Sequence, residues 1–205
     1  HDLTASFSPS SIALVGASPS AGKISGVILE NLMNSFKGAI YPVNPRYSEV
    51  MGFKCYPSID AIGKAVDLAV YALGAESVPE AILNAGGLAR GAIVVSGGFA
   101  EAGPKGALLE KALKDAASST GIRVIGPNCL GIYDAVTGLD TFFVPRDRVR
   151  RPGRGSLSII SQSGSFAATA VDELATDGRG GARVVSYGNK SAVDEADCLA
   201  FLAED

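Results

Sequence analysis

The sequence predicts an α/β protein built on doubly wound parallel sheets. Short runs rich in β-branched residues alternate with longer runs of helical period, and almost every apolar run ends in glycine, proline or asparagine. A glycine-rich loop separates the first predicted strand from the first long helix, where such sheets hold ligands. The 205 residues, 47% of them hydrophobic, suffice for one core of ~100–150 residues and the start of a second, so two α/β units are expected.

Ile12-Ala13-Leu14-Val15 reads as a buried first strand. After the loop of residues 16–22 comes a helix with Ile24, Val27, Ile28 and Leu32 on one face. Residues 39–43 read as the second strand and 66–72 as the third. The next helix opens at Ser77-Val78-Pro79-Glu80, which has the pattern of a capping box with proline in the first turn. Residues 92–95 make a fourth strand, 104–118 a helix with Leu109, Ala112, Leu113 and Ala116 inward, and 122–125 a fifth strand. Five strands with right-handed crossovers give a Rossmann-like sheet over residues 1–145.

Residues 146–155 break this rhythm: Pro152, Gly153 and Gly155 stand among five arginines, the composition of a solvated linker. From 156 to 205 the pattern restarts, with a strand at 157–160, a turn at 161–165, helices near 166–174 and 194–202, and a strand at 182–185. Too few strands follow to close a second core, so a truncated chain or a missing partner is expected. Asp194, Glu195 and Asp197 fit the first turn of a helix through its dipole without any chemistry of their own.

No run approaches the ~18 apolar residues of a membrane span, and the first twenty residues lack a signal-peptide pattern, so a cytoplasmic protein is expected. Cys55, Cys129 and Cys198 show no C-x-x-C spacing and indicate neither zinc nor disulfides. A net charge of −3 gives no basic surface for nucleic acid; any anion site must be local. The single histidine, His1, reads as the remnant of a tag, which leaves no internal imidazole.

The loop Val15-Gly16-Ala17-Ser18-Pro19-Ser20-Ala21-Gly22-Lys23 is an anion cradle by position, because small residues let backbone N–H groups and a helix N-terminus approach a phosphate. It fails as a Walker A loop, which needs glycine at 17 and Ser or Thr at 24. It also fails as a dinucleotide fingerprint, which wants glycine at 18 and an acid after the second strand. That strand ends Asn44-Pro45-Arg46, and a cation there suits a phosphorylated ribose such as NADP or coenzyme A carries.

Val15-Gly16-Ala17-Ser18, Ile40-Tyr41-Pro42-Val43-Asn44-Pro45, Cys55-Tyr56-Pro57-Ser58, Ile125-Gly126-Pro127-Asn128-Cys129-Leu130-Gly131, Ser161-Gln162-Ser163-Gly164 and Gly188-Asn189-Lys190 occur in an order that resembles NDP-forming acyl-CoA synthetases, the group of ADP-forming acetyl-CoA synthetase and the succinyl-CoA synthetase α subunit. The resemblance runs from about Phe7 to Asp205. It implies a Rossmann-like coenzyme A-binding domain followed by the first part of a flavodoxin-like, succinyl-CoA synthetase-type domain. It places Gly16, Ser18, Pro19, Ser20 and Ala21 at the nucleotide end of coenzyme A, Asn44, Pro45 and Arg46 at the ribose or its phosphate, Ser96, Gly97 and Gly98 along the pantetheine arm, and Asn128 and Cys129 near the thiol. Cys129 equally suits a small residue packed at a strand end.

Ser161-Gln162-Ser163-Gly164-Ser165 is not a nucleophile elbow, which needs glycine at 161 and 165, and without an internal histidine no serine-hydrolase triad can form. It reads better as a helix N-terminus where Ser161, Ser163, Gly164 and Ser165 hold a phosphoryl group. The resemblance implies that a phosphohistidine carries this group, that the histidine belongs beyond Asp205, and that a separate ATP-grasp domain or subunit loads it from ATP or GTP with magnesium. The complete enzyme would be an oligomer joining an acid to coenzyme A, and this chain alone would be inert. Two other readings stay open: a regulatory module sensing coenzyme A or acyl-CoA, like degenerate synthetase domains fused to protein acetyltransferases, and an NADP oxidoreductase, which Arg46 permits.

Overall fold

The computed structural model describes residues 2–204. His1 and Asp205, and with His1 the expected tag remnant, lie outside them. In chain order the elements are α1 (Thr4–Phe7), β1 (Ser11–Val15), α2 (Ile24–Ser35), β2 (Ala39–Val43), β3 (Glu49–Val50), β4 (Phe53–Lys54), β5 (Val66–Tyr71), α3 (Val78–Asn84), β6 (Ala89–Val94), α4 (Pro104–Thr120), β7 (Arg123–Ile125), β8 (Gly131–Asp134), β9 (Arg154–Ser161), α5 (Gly164–Thr176), β10 (Gly181–Ser186) and α6 (Glu195–Ala203).

The main sheet runs β2-β1-β5-β6-β7, all parallel. The chain reverses its direction of travel across the sheet between β1 and β5, which puts the topological switch point, the usual ligand crevice, at the carboxyl ends of those two strands. Ile12, Leu14, Leu68, Val70 and Ile93 are fully buried, as strands covered by helices on both faces require. α2 presents Val27, Ile28, Leu29 and Leu32 to the core, but Ile24 is 46% exposed, because the first turn of the helix projects past the sheet edge into the crevice. Ala112 of α4 is exposed too; Glu110 and Ala117 take the inward positions beside Leu113 and Ala116.

The capping box at Ser77 does not form. A 3-10 turn over Ala75–Ser77 runs straight into α3, so Ser77 already has helical angles and its hydroxyl caps nothing. A complete capping box occurs instead at Asp194. Its carboxylate accepts from the Ala196 and Asp197 amides, and Asp197 accepts in turn from the Asp194 amide. Asp194 and Asp197 thus act as caps, while Glu195 pairs with Lys190 at 3.1 Å.

The second sheet has the order β8-β10-β9, with β8 antiparallel and β9 parallel to β10. β8 comes from before residue 146, so this sheet draws a strand across the segment that composition suggested was a solvated linker. That segment is anchored. Asp140 is fully buried; Arg146 Nη2 lies 2.8 Å and Arg151 Nε 3.0 Å from its carboxylate, and the Arg151 side chain is only 3% exposed. The Arg151 guanidinium also lies 5.1 Å from the Phe142 ring centre, and the Tyr133 hydroxyl donates to the Pro152 carbonyl. Glycine and arginine content signalled solvent; buried counter-charge and aromatic faces decided otherwise. The two sheets share one apolar core in which Phe7, Leu14 and Ile125 meet Val185, Val193 and Cys198, and Phe7 stacks on Phe201 of α6 at 4.6 Å. Among the described residues no helix is long and apolar enough to cross a membrane.

Candidate functional site

A cleft of about 1150 Å³ opens at the switch point, lined by the β1–α2 loop, the end of β2 and the end of β5. Gly16 makes the close approach possible. Its φ is +90°, and a Cβ there would stand 2.5 Å from the Ala72 carbonyl oxygen and 2.9 Å from the Leu73 side chain. Ser18, Asn44, Pro45 and Arg46 also line the cleft. Pro19, Ser20 and Ala21 do not; they stand exposed on the outer side of the loop, with the Ser20 amide donating to Ser18 Oγ.

Asn44 spends its side chain on the fold: Nδ2 donates to the Ala17 carbonyl at 2.7 Å and Oδ1 accepts from the Arg46 amide at 3.0 Å. It ties the two walls together and presents Arg46. Among the described residues Arg46 and Lys23 make no ion pair, and both line the cleft. Lys23 is the N-cap of α2, with extended backbone, no side-chain cap and no acid in the first helical turn. The positive end of the helix dipole and two cations thus converge on one cavity, a setting that favours phosphate. The opposite wall carries Pro57, Ser58, Ile59 and Asp60, delivered by the chain after the β3–β4 hairpin. Sequence reading missed Lys23, set aside with the failed Walker pattern, and Asp60, which is distant along the chain from the end of β2 where an acid was sought but lines the same cleft.

Next to Leu73, at the carboxyl ends of β5 and β6, stands a second group of residues outside the lining of the cleft. Ser96 Oγ donates to the Leu73 carbonyl, joining the ends of β5 and β6. Gly97 is exposed, and a Cβ there would meet Asn128 Oδ1 and Glu101 Oε1, each at 3.3 Å. Gly98 has φ +103°, and its amide donates to Glu101. Asn128, with φ +56°, is exposed and donates its amide to the Ser96 carbonyl. The structure thus brings Ser96, Gly97, Gly98 and Asn128 together. Cys129 differs: its side chain is buried and the thiol points to the Val94 carbonyl at 3.3 Å. Burial pushes that thiol up to about 12, which makes it a core residue with little thiolate. Burial likewise pushes Cys198 up to about 12 and raises Cys55. All three cysteines should therefore resist an aromatic disulfide reagent at pH 8 and react together once urea unfolds the chain; rapid labelling of Cys129 in the folded state would contradict its packing.

The third group caps α5. Ser163 is the N-cap, its Oγ accepting from the Phe166 amide and lying 3.1 Å from Ser165 Oγ, while Ser161 Oγ accepts from the Ser163 amide. Gly164 packs against Leu130, so this helix N-terminus abuts the 126–130 loop. The following loop is fastened there too: Asn189 N donates to the Pro127 carbonyl and Ser191 N to the Gly126 carbonyl, across the cis Gly126–Pro127 peptide.

A doubly wound sheet with a basic crevice and an open helix N-terminus at its switch point has the features that favour a phosphate-bearing ligand. The chain belongs to the CoA binding domain family, whose model matches residues 10–135. A second family, the succinyl-CoA ligase like flavodoxin domain, matches residues 154–205. The chain is 42% identical over 200 residues to acetate–CoA ligase [ADP-forming] I of Archaeoglobus fulgidus, covering 97% of this chain and 28% of that protein. It is 34% identical to the α subunit of acetate–CoA ligase [ADP-forming] II of Pyrococcus furiosus, covering 97% of this chain and 42% of that subunit. It superposes on the acetyl-coenzyme A synthetase 1 of Ca. Korarchaeum cryptofilum, solved with phosphate and ADP, with a TM-score of 0.91 at 38% identity, covering 100% of this chain and 43% of the other. The chain thus spans less than half the length of these relatives.

Proposed function

We propose that this chain is the coenzyme A-binding portion of an NDP-forming acyl-CoA synthetase, which joins an acid to coenzyme A at the expense of a nucleoside triphosphate. The observation that carries this reading is the cleft at the switch point, where Lys23, Arg46 and the uncapped start of α2 surround a cavity of nucleotide size. Gly16, Ser18, Asn44, Pro45 and Arg46 would form the nucleotide end, with Pro19, Ser20 and Ala21 acting only through the shape of the loop. Ser96, Gly97, Gly98 and Asn128 would guide the pantetheine arm, with Cys129 supporting them from the core. Residues 1–145 carry this binding role on our reading, 146–155 join the two units, and 156–205 open the ligase domain.

In the complete enzyme, Ser161, Ser163, Gly164 and Ser165 would receive the phosphoryl group of a phosphohistidine contributed from outside this chain. An ATP-grasp domain or subunit would supply the nucleotide, ATP or GTP with magnesium, within a cytoplasmic oligomer. The relatives that are acetate–CoA ligases favour this over a redox role.

The test is calorimetric titration of the chain with coenzyme A, 3′-dephospho-coenzyme A and NADP. The expected result is saturable binding of coenzyme A that weakens about tenfold without the 3′-phosphate, the value of one charge-assisted contact, with no heat from NADP. Arg46→Gln should remove that preference. Binding of NADP in place of coenzyme A would overturn the reading.

A further inference from the structure

Beside the ends of β5 and β6, one side chain from the loop after the second sheet's β10 reaches across to the first unit. Asn189, in the loop after β10, donates through Nδ2 to Glu101 at 2.6 Å and to Glu110 at 2.9 Å. Glu101 in turn accepts from the Gly98 amide at 2.6 Å and the Phe99 amide at 3.1 Å, so its carboxylate fixes the loop that contains Gly97 and Gly98. Glu110, 93% buried on α4, accepts from the Ala100 amide and has Lys114 at 3.6 Å, which holds the far side of the same loop. Asn189 Oδ1 faces Asn128 Nδ2 at 3.4 Å. Its backbone is pinned to Pro127, and two residues earlier the Tyr187 amide donates to the carbonyl of Ser161.

From these contacts we propose that Asn189 and Glu101 are positioning residues: a polar latch through which the second sheet holds the 97–98 loop in the shape that admits the arm of the ligand. The inference rests on the coenzyme A reading for the identity of that ligand, and on geometry alone for the latch. Two features argue for positioning over general stability. Glu101 is exposed and Asn189 half-buried, and both stand outside the apolar clusters, so their loss opens no cavity in the core. The loop they hold is also poor in restraints of its own: Gly97 and Gly98 have no side chains, and the Gly98 and Phe99 amides turn to Glu101. The network is continuous from Ser161 at the α5 cradle to Gly98 beside the crevice, so a change at one end has a physical route to the other.

The latch distinguishes the two halves of a long ligand. The cations Lys23 and Arg46 line the cleft together with Leu73, whereas the 97–98 loop is outside that lining and joins it only through the bond from Ser96 to the Leu73 carbonyl. Loss of the latch should therefore weaken a ligand that reaches that loop and spare one that stays in the cleft. The experiment compares coenzyme A with 3′,5′-ADP, its nucleotide fragment without the arm, on wild type, Asn189→Ala and Glu101→Gln, alongside amide hydrogen exchange at Gly98 and Phe99. We expect faster exchange at both amides in either variant, about tenfold weaker coenzyme A binding from the loss of hydrogen bonds to a charged acceptor, and 3′,5′-ADP affinity within twofold of wild type.

Asn189→Asp, which sets a third carboxylate against two, should weaken coenzyme A at least as much as Asn189→Ala. Unchanged exchange at Gly98 and Phe99 would overturn the latch, as would equal losses for both ligands or no loss for coenzyme A. If wild type bound neither ligand, the coenzyme A reading would fall and exchange would still decide the latch.

Discussion

Replacing Asp140 by asparagine is expected to lower the free energy of unfolding by about 3–5 kcal/mol, the cost of breaking a buried ion pair from one side. The substitution changes shape little. It removes the counter-charge of Arg151, whose guanidinium is 3% exposed with Nε 3.0 Å from the carboxylate, and of Arg146 at 2.8 Å. Arg151 retains the Val144 carbonyl at 2.9 Å and the face of Phe142, but neither neutralises a cation taken out of water. Urea unfolding followed by circular dichroism should show an earlier midpoint with an unchanged slope. Arg150→Ala is the matched control. Its pair with Asp172 has the same chemistry at 3.1 Å, but Arg150 is 60% exposed, so the loss should stay below about 1 kcal/mol. Equal, small effects at the two sites would return the 146–155 segment to the solvated linker that its composition suggests.

The contrast between those two arginines shows what the sequence could and could not convey. Strand and helix periods are local, and they placed β1, β2, β5, β6 and β7 within a few residues. That these strands form one Rossmann-like sheet followed from the right-handed crossover rule, while their order is seen only in the fold. Burial of a particular arginine is not local. Arg150 and Arg151 are neighbours in sequence, yet one faces water and the other faces Asp140, eleven residues away, because Phe142 and Tyr133 fold over it. β8 escaped notice for a similar reason: Gly131–Asp134 gains its strand character only by pairing with β10, some fifty residues later. At the site, glycines and the Asn44-Pro45-Arg46 turn were legible because they answer to backbone geometry at strand ends. Asp60, Glu101 and Asn189 were not, since each acts through partners that only the folded chain supplies. Glu101 had one local cue, an acid three residues after Gly98, the spacing at which a carboxylate reaches back to a backbone amide.

Gly16→Val should produce the largest loss of binding with the fold still formed. Two costs add. A β-branched residue at φ +90° carries roughly 1–3 kcal/mol of backbone strain, and a Cβ 2.5 Å from the Ala72 carbonyl oxygen adds overpacking of roughly 1–3 kcal/mol. The backbone has little room to yield: the Gly16 amide donates to the Val43 carbonyl and the Ala72 amide to the Val15 carbonyl, both at 2.9 Å, so β1 is fastened to β2 and β5 where the clash falls. Relief must come from displacing the loop that carries Ser18 and the start of α2, which are the walls of the cleft. Coenzyme A affinity should fall by more than tenfold, because the phosphate-facing helix end moves as the strain relaxes. Gly22→Ala in the same loop separates this mechanism from a general need for glycine. A Cβ at Gly22 meets nothing within 4 Å and its backbone is not in the positive-φ region, so the thermal midpoint should hold to within about a degree or rise slightly through loss of unfolded-state freedom. If Gly16→Val were as stable as Gly22→Ala and bound coenzyme A normally, the close approach of β1 and β5 would have no part in forming the site.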